Sequence, residues 1–336
     1  MKRLACLLLV AVSLAFTADA APKNLKSLER EIQRVRQKFR GEMAVYTKNL
    51  ATGEEIALDA DRVYETFSVI KVPIMAEVLR QAEQGDPEAS GSLSDRVELK
   101  AADARWPSGV LYTMDPGLQP TIRDLLTLMI IISDNAATDM LADRVGRDRI
   151  TQTMQELGLK KTSIQYSDLD WDRRWLGFLD PRYRNETAEG VMQFPFGKYS
   201  DAEVSEAFRK VIEETEVYFG PSTAREMGRL FELMANGKLV SKQASALMIE
   251  ILKKQQVDNR IPRYLVDTGV AHKTGDGAPW VANDAGILWV GDQPIVLVVF
   301  TGRHRGTAAE QYEAIARVAA LVVRHYGGKV SSEFKP

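Results

Sequence analysis

Two side chains able to do nucleophilic chemistry stand three residues apart in an otherwise apolar run, Ser68 and Lys71 within residues 67–74, FSVIKVPI. On a helix that spacing puts a hydroxyl and an amine on one face, a turn apart. A lysine held near other cations and partly desolvated can lose its proton near neutral pH and activate a serine. Pro73 is tolerated only in a first turn, which predicts a helix beginning close to Ser68, with its free N–H groups and positive dipole end open to an anion. The same spacing recurs at Ser332 and Lys335 in the tail, so the pair needs support from elsewhere in the chain.

Two triplets supply it. Ser133-Asp134-Asn135 follows the apolar run at 125–132, LLTLMIII, and Lys273-Thr274-Gly275 ends a strand-like segment. Alone, the first is good capping chemistry and the second an ordinary strand end. Together, in this order and at element boundaries, the three motifs are a strong signal. Composition narrows the alternatives. The 336 residues carry a formal net charge of −2, with 45% hydrophobic and 27% charged side chains, the balance of a globular protein with a large core and no nucleic-acid partner. Histidine is confined to His272, His304 and His325 and cysteine to Cys6. No zinc-binding pattern, disulfide or thiol nucleophile is therefore expected in the mature chain, no cofactor is called for, and His304, between two arginines, reads as a solvated loop. A Gly-x-Ser-x-Gly elbow is also missing, so the base should be a lysine or a carboxylate.

The elements that must hold these residues follow from periodicity. Residues 1–20 read as a signal peptide, with Lys2 and Arg3, an apolar stretch over 4–16 and a small-residue cleavage site at 18–20, which implies an exported protein, periplasmic or secreted, without a membrane anchor after cleavage. Leu25, Leu28, Ile32, Val35 and Phe39 predict a helix ending near Gly41. Segments 43–50 and 55–63 predict a hairpin, the stretch from about 75 to 257 is helical almost throughout, and 269–275, 284–290 and 295–301 predict strands before a final helix capped by Thr307 and Glu310. The expectation is an α/β (α+β) protein. Residues 21–72 and 258–336 form one sheet domain flanked by the terminal helices, an all-helical domain is inserted over 73–257, and the cleft lies at their junction.

On these motifs the chain resembles the serine β-lactamase and penicillin-binding protein superfamily, most closely the class A β-lactamases. The resemblance runs from GEMAVYTKNL at 41–50 through TIRDLLTLMIIISDN at 121–135 to AHKTGDGAPWVANDAGILWV at 271–290. It implies the β-lactamase/transpeptidase-like fold, with Ser68 acylated, Lys71 its base or proton relay and Ser133 passing a proton to the leaving nitrogen. Asn135 would bind the substrate amide, Lys273 and Thr274 its carboxylate, and the N–H groups of Ser68 and Asp276 would form the oxyanion hole. The family's Glu-x-x-Leu-Asn stretch, in an omega-shaped loop, is replaced here by TSIQYSDLDWDRRWLGF, 162–178. Asp168 falls at the glutamate position and Asp170 lies close by. Residues 176–219 look like an insertion with one added helix over 201–216. The readings are a β-lactamase acting as a monomer on small-molecule β-lactams, a covalent penicillin-binding sensor that deacylates slowly, or a related peptidase or esterase acting on cell-wall peptides. Trp106, Tyr112 and Trp280 are given no role.

Overall fold

The computed structural model describes residues 24–85, 91–213, 218–277 and 279–335, so the signal reading of 1–20 lies outside the described residues. The helix α1 (Leu25–Lys38) is capped by Asn24, whose side chain accepts from the Lys26 N–H at 2.9 Å. Strands β1 (Glu42–Asn49) and β2 (Glu55–Leu58) make the expected hairpin, turned by Gly53 at φ +79°. The second strand stops earlier than its sequence suggests. Asp59 adopts φ +49°, and the chain resumes as β3 (Val63–Glu65), which pairs with β4 (Pro221–Thr223) instead of the main sheet.

Helices α2 (Lys71–Gln84), α3 (Ile122–Ile131), α4 (Asn135–Val145), α5 (Arg147–Glu156), α6 (Asp168–Leu179), α7 (Ala188–Met192), α8 (Asp201–Glu213), α9 (Ala224–Ala235) and α10 (Lys242–Leu252) follow. Strands β5 (Leu265–Val266), β6 (Gly269–Gly277), β7 (Val281–Val290) and β8 (Gln293–Gly302), then α11 (Ala308–His325) and β9 (Lys329–Val330), complete the chain. The main sheet has the order β2-β1-β8-β7-β6, antiparallel throughout, with Glu42 opposite Gly302 and Lys273 opposite Ala285. Among the described residues no helix is long and apolar enough to cross a membrane.

The sheet is covered on both sides, which is why β8 is apolar at consecutive positions rather than alternate ones. Ile295, Leu297 and Val299 pack with Ile315, Val318 and Val322 of α11. Val296, Val298 and Phe300 join Met227, Leu230 and Phe231 of α9 on the opposite face. α11 starts with a reciprocal capping box between Thr307 and Glu310, as the sequence predicts. His304 is buried and stacked on Phe39, ring centres 4.5 Å apart, not solvated. Apolar burial against α1 outweighs the polarity of its arginine neighbours.

Residues 162–178, expected as an omega-like loop, become helical from Asp168 onward. Ser167 caps α6 by accepting the Asp170 N–H at 2.9 Å, and acidic side chains in a first turn suit the dipole. The 201–216 helix is present as α8 over Asp201–Glu213; residues 214–217 lie outside the described ones.

β6 lies unusually close to the chain around Ser68. A Cβ at Gly275 would collide with the Thr66 carbonyl oxygen, and one at Gly277 with the Phe67 ring. Gly275→Ala is therefore expected to lower unfolding free energy by about 1–3 kcal/mol, as overpacking does, read from the urea midpoint at unchanged slope.

Candidate active site

Ser68 sits in a 3₁₀ turn, Phe67–Ile70, that runs directly into α2. Phe67 adopts φ +45°, an outlier for a bulky side chain that persists only where its surroundings over-determine it. Those surroundings centre on buried Glu65. Its carboxylate accepts the N–H groups of Phe67 (2.9 Å), Phe219 (2.5 Å) and Gly220 (3.2 Å). Burial raises its pKa, and these N–H groups oppose the rise. The Asn283 side chain donates to the Glu65 carbonyl at 2.8 Å, and Thr66 Oγ1 donates to the Gly220 carbonyl at 2.5 Å. Sheet and helices thus clamp the same turn.

Lys71 is fully buried. Its Nζ donates to Ser133 O (2.8 Å), Ser133 Oγ (3.1 Å) and Asn135 Oδ1 (2.7 Å). Ser133 Oγ also accepts from Lys273 Nζ at 3.1 Å, and Lys273 donates to the Thr274 carbonyl at 2.8 Å. One hydroxyl thus spends its lone pairs on two amines, leaving its own O–H free to donate into the cleft. Ser133 holds φ +58°. Asp134 locks this turn, Oδ1 capping α4 through the Ala137 N–H (2.9 Å) and Oδ2 accepting from Val110 (2.7 Å) and Leu111 (2.9 Å). Burial lowers the pKa of both lysines. For Lys71 the charges of Asp168, Asp134 and Asp139 oppose the shift, whereas for Lys273 the charges of Lys71 and Arg260 add to it. Each of the two amines therefore gives up a proton more readily than a lysine in water.

The two candidate aspartates separate cleanly. Asp168 is half-buried, and its enclosed Oδ2 has no hydrogen-bond partner among the described residues. Burial pushes its pKa up to about 7, against the pull of Lys71. Asp170 points the other way, 50% exposed and paired with Arg173 at 3.1 Å; it is not among the groups brought together here. On a helix, positions two apart face apart, and the spacing within 167–172 could not choose a face before the helix was known. Asp172, one turn beyond Asp168, is buried. Burial holds its pKa well up, while the Trp175 indole N–H, donating at 3.0 Å, opposes this.

Asp276 ends the β6 side of the site. Its side chain is turned to the guanidinium of fully buried Arg260, and Tyr312 donates to both its oxygens (3.2 and 3.1 Å). Arg260 also donates to the carbonyls of Gly275 and Asn283, each at 2.9 Å. Thr274 is buried between Lys273 and Gly275. Trp106 meets the site from the far wall through its carbonyl, which accepts from the Asn135 Nδ2 at 3.3 Å.

Glu65, Asp139 and Arg260 escape sequence reasoning, because a carboxylate or guanidinium far along the chain carries no spacing signal; only Asp134 had one, as a cap. Asp139 on α4 accepts from Arg105 (2.8 Å), Arg147 (3.1 Å) and the N–H groups of Asp168 (2.9 Å) and Leu169 (3.3 Å). It therefore pins the first turn of α6. Asp139→Ala should cost about 3–5 kcal/mol in urea unfolding by stranding buried Arg105. Asp143→Ala, which removes only the exposed partner of Arg147, should cost under about 1 kcal/mol.

Comparison with known proteins places this geometry in context. The sequence model of the beta-lactamase enzyme family matches residues 27–326. A β-lactamase of Streptomyces lavendulae is 24% identical over 316 residues, covering 93% of this chain and 90% of that protein. The fold is similar to that of a β-lactamase from Sphaerobacter thermophilus DSM 20745, with a TM-score of 0.71 and 23% identity, over 93% of this chain and 100% of that one. It is also similar to PBP-A, with a TM-score of 0.70 and 22% identity, over 91% and 98%.

Proposed function

Because the chain belongs to the beta-lactamase enzyme family and is a hydrolase acting on β-lactams, we propose that it opens the ring through an acyl-serine on Ser68, in the class A manner. The observation that carries this is the buried Lys71–Ser133–Lys273 relay beside the Ser68 turn. Ser68 Oγ gives its proton to neutral Lys71 Nζ and attacks the lactam carbonyl carbon. The new C–O bond forms as the carbonyl oxygen takes the negative charge, received by the N–H groups of Ser68 and Asp276. Collapse breaks the C–N bond, and the ring nitrogen takes the Ser133 hydroxyl proton, which Lys71 replaces. Asn135 would hold the substrate's amide, and Lys273 with Thr274 its carboxylate.

Deacylation needs a water and a base. Asp168 would take a proton from water while the hydroxide attacks the acyl carbon; collapse then breaks the acyl C–O bond, and the departing Ser68 Oγ takes back the proton held by Asp168, restoring the free enzyme. The unpartnered Oδ2 and the pKa near 7 support the role, because a base titrating near the working pH is efficient. The same values favour a second reading, slow deacylation as in a covalent penicillin-binding protein. Asp168 is one methylene shorter than glutamate and, with that pKa, only partly ionised near pH 7. We also infer that residues 1–20 export the chain, which acts as a monomer.

Intact mass followed during cephalosporin hydrolysis tests the assignment. Many turnovers with little adduct support the β-lactamase, whereas one stoichiometric burst supports the penicillin-binding reading. Ser68→Ala should abolish labelling by penicillin with folding intact, and labelling that survives sinks the nucleophile. Asp168→Asn should trap the acyl-enzyme, slowing turnover by about 10²–10⁴-fold; unchanged turnover clears Asp168. The raised pKa means that the active carboxylate is lost as pH falls. The wild-type deacylation rate should therefore drop about tenfold per unit below pH 7 and level off above it.

A further inference from the structure

Rings from α6, α8 and the chain between them pack in a row beside the Ser68 turn. From β6 the rings run in sequence. Phe67, against Gly277, stacks on Phe208 of α8 at 6.0 Å, and Phe208 meets Trp175 edge-on at 5.7 Å. Trp175 stacks on Phe196 at 6.0 Å, and Phe196 meets Trp106 edge-on at 5.2 Å. Trp106 closes the run at Asn135 through its carbonyl. Five aromatic rings thus form an arc from the residue preceding Ser68 to the residue that binds Lys71, and two of them come from the segment that looked like an insertion.

We propose that this arc walls the end of the cleft that receives the acyl substituent, restricting the enzyme to β-lactams with compact, uncharged acyl groups. The inference rests on the β-lactam reading above. With the substrate carboxylate at Lys273 and its carbonyl at the Asp276 N–H, β6 sets a direction. The substituent on the other side of the ring must continue past Asp276 toward Gly277 and Asn135, where the arc lies. The wall is fastened where α8 ends. Glu213, at the end of α8, accepts from Arg209 (2.8 Å) and from Arg305 (3.0 Å), whose guanidinium lies 5.6 Å over the Trp280 ring. Phe196 is 37% exposed and so free to meet a substrate. Ring faces and edges admit a flat apolar group but offer little to a charged one, which would be desolvated without a partner.

The test compares kcat/KM for benzylpenicillin and piperacillin, which share a ring system and differ in acyl bulk, in the wild type, Phe208→Ala and Phe196→Ala. The wild type should prefer benzylpenicillin, and each variant should raise the piperacillin-to-benzylpenicillin ratio by about tenfold. Loss of folded enzyme lowers both values together and leaves the ratio intact, so Phe208→Ala is read by ratio, with Phe196→Ala as the variant that removes a more exposed ring. A ratio unmoved in both variants, or a wild type indifferent to bulk, overturns the arc while leaving β-lactam hydrolysis standing. Absence of hydrolysis and of acylation with both penicillins in the wild type overturns the β-lactam reading and this inference with it.

Discussion

Two ammonium groups buried beside one hydroxyl set the terms for everything around them. Lys71 and Lys273 both donate to Ser133 Oγ, and neither charge can stay in a dry interior without polar partners. The chain supplies them from different elements: the Ser133 and Thr274 carbonyls, the Asn135 amide oxygen and the carboxylate of Asp168 nearby. β6, α2, the turn before α4 and the start of α6 must therefore converge on a few ångströms of space. The fold is the arrangement that lets them do so.

Convergence is maintained by carboxylates that touch no candidate catalytic side chain. Glu65 gathers three backbone N–H groups around the turn before Ser68, and Asp139 gathers two at the start of α6 along with two guanidinium groups. Each ties a segment carrying a reactive group to an element far away in sequence. That is the usual means of holding chemistry on irregular backbone, where regular ladders cannot reach. The positive φ angles at Phe67 and Ser133 fit the same logic, strain tolerated where it aims a side chain.

Much of this was legible in the chain. Ser68, Lys71, Ser133, Asn135, Lys273 and Thr274 belong to short motifs at element boundaries, and boundaries are where local sequence speaks most clearly. The capping boxes at Thr121 and Thr307 mark helices that form where expected. The aspartates were harder, since a two-residue offset reverses direction on a helix and the stretch around 167–172 read as a loop. β3 was missed because its partner, β4, lies more than a hundred and fifty residues on. Burial of His304 depended on Phe39, far away in the chain, a contact no window of sequence contains.

The pairing of β1 with β8 has a consequence in time. Glu42 lies opposite Gly302, so the central neighbour of the first hairpin is synthesised last of all the sheet. At about 5–20 residues per second, β1 waits roughly ten to fifty seconds with an open edge. Non-local pairing of this kind is slow, and an uncovered strand is an invitation to other chains. The topology that completes the sheet therefore also postpones its completion until β8 has been made.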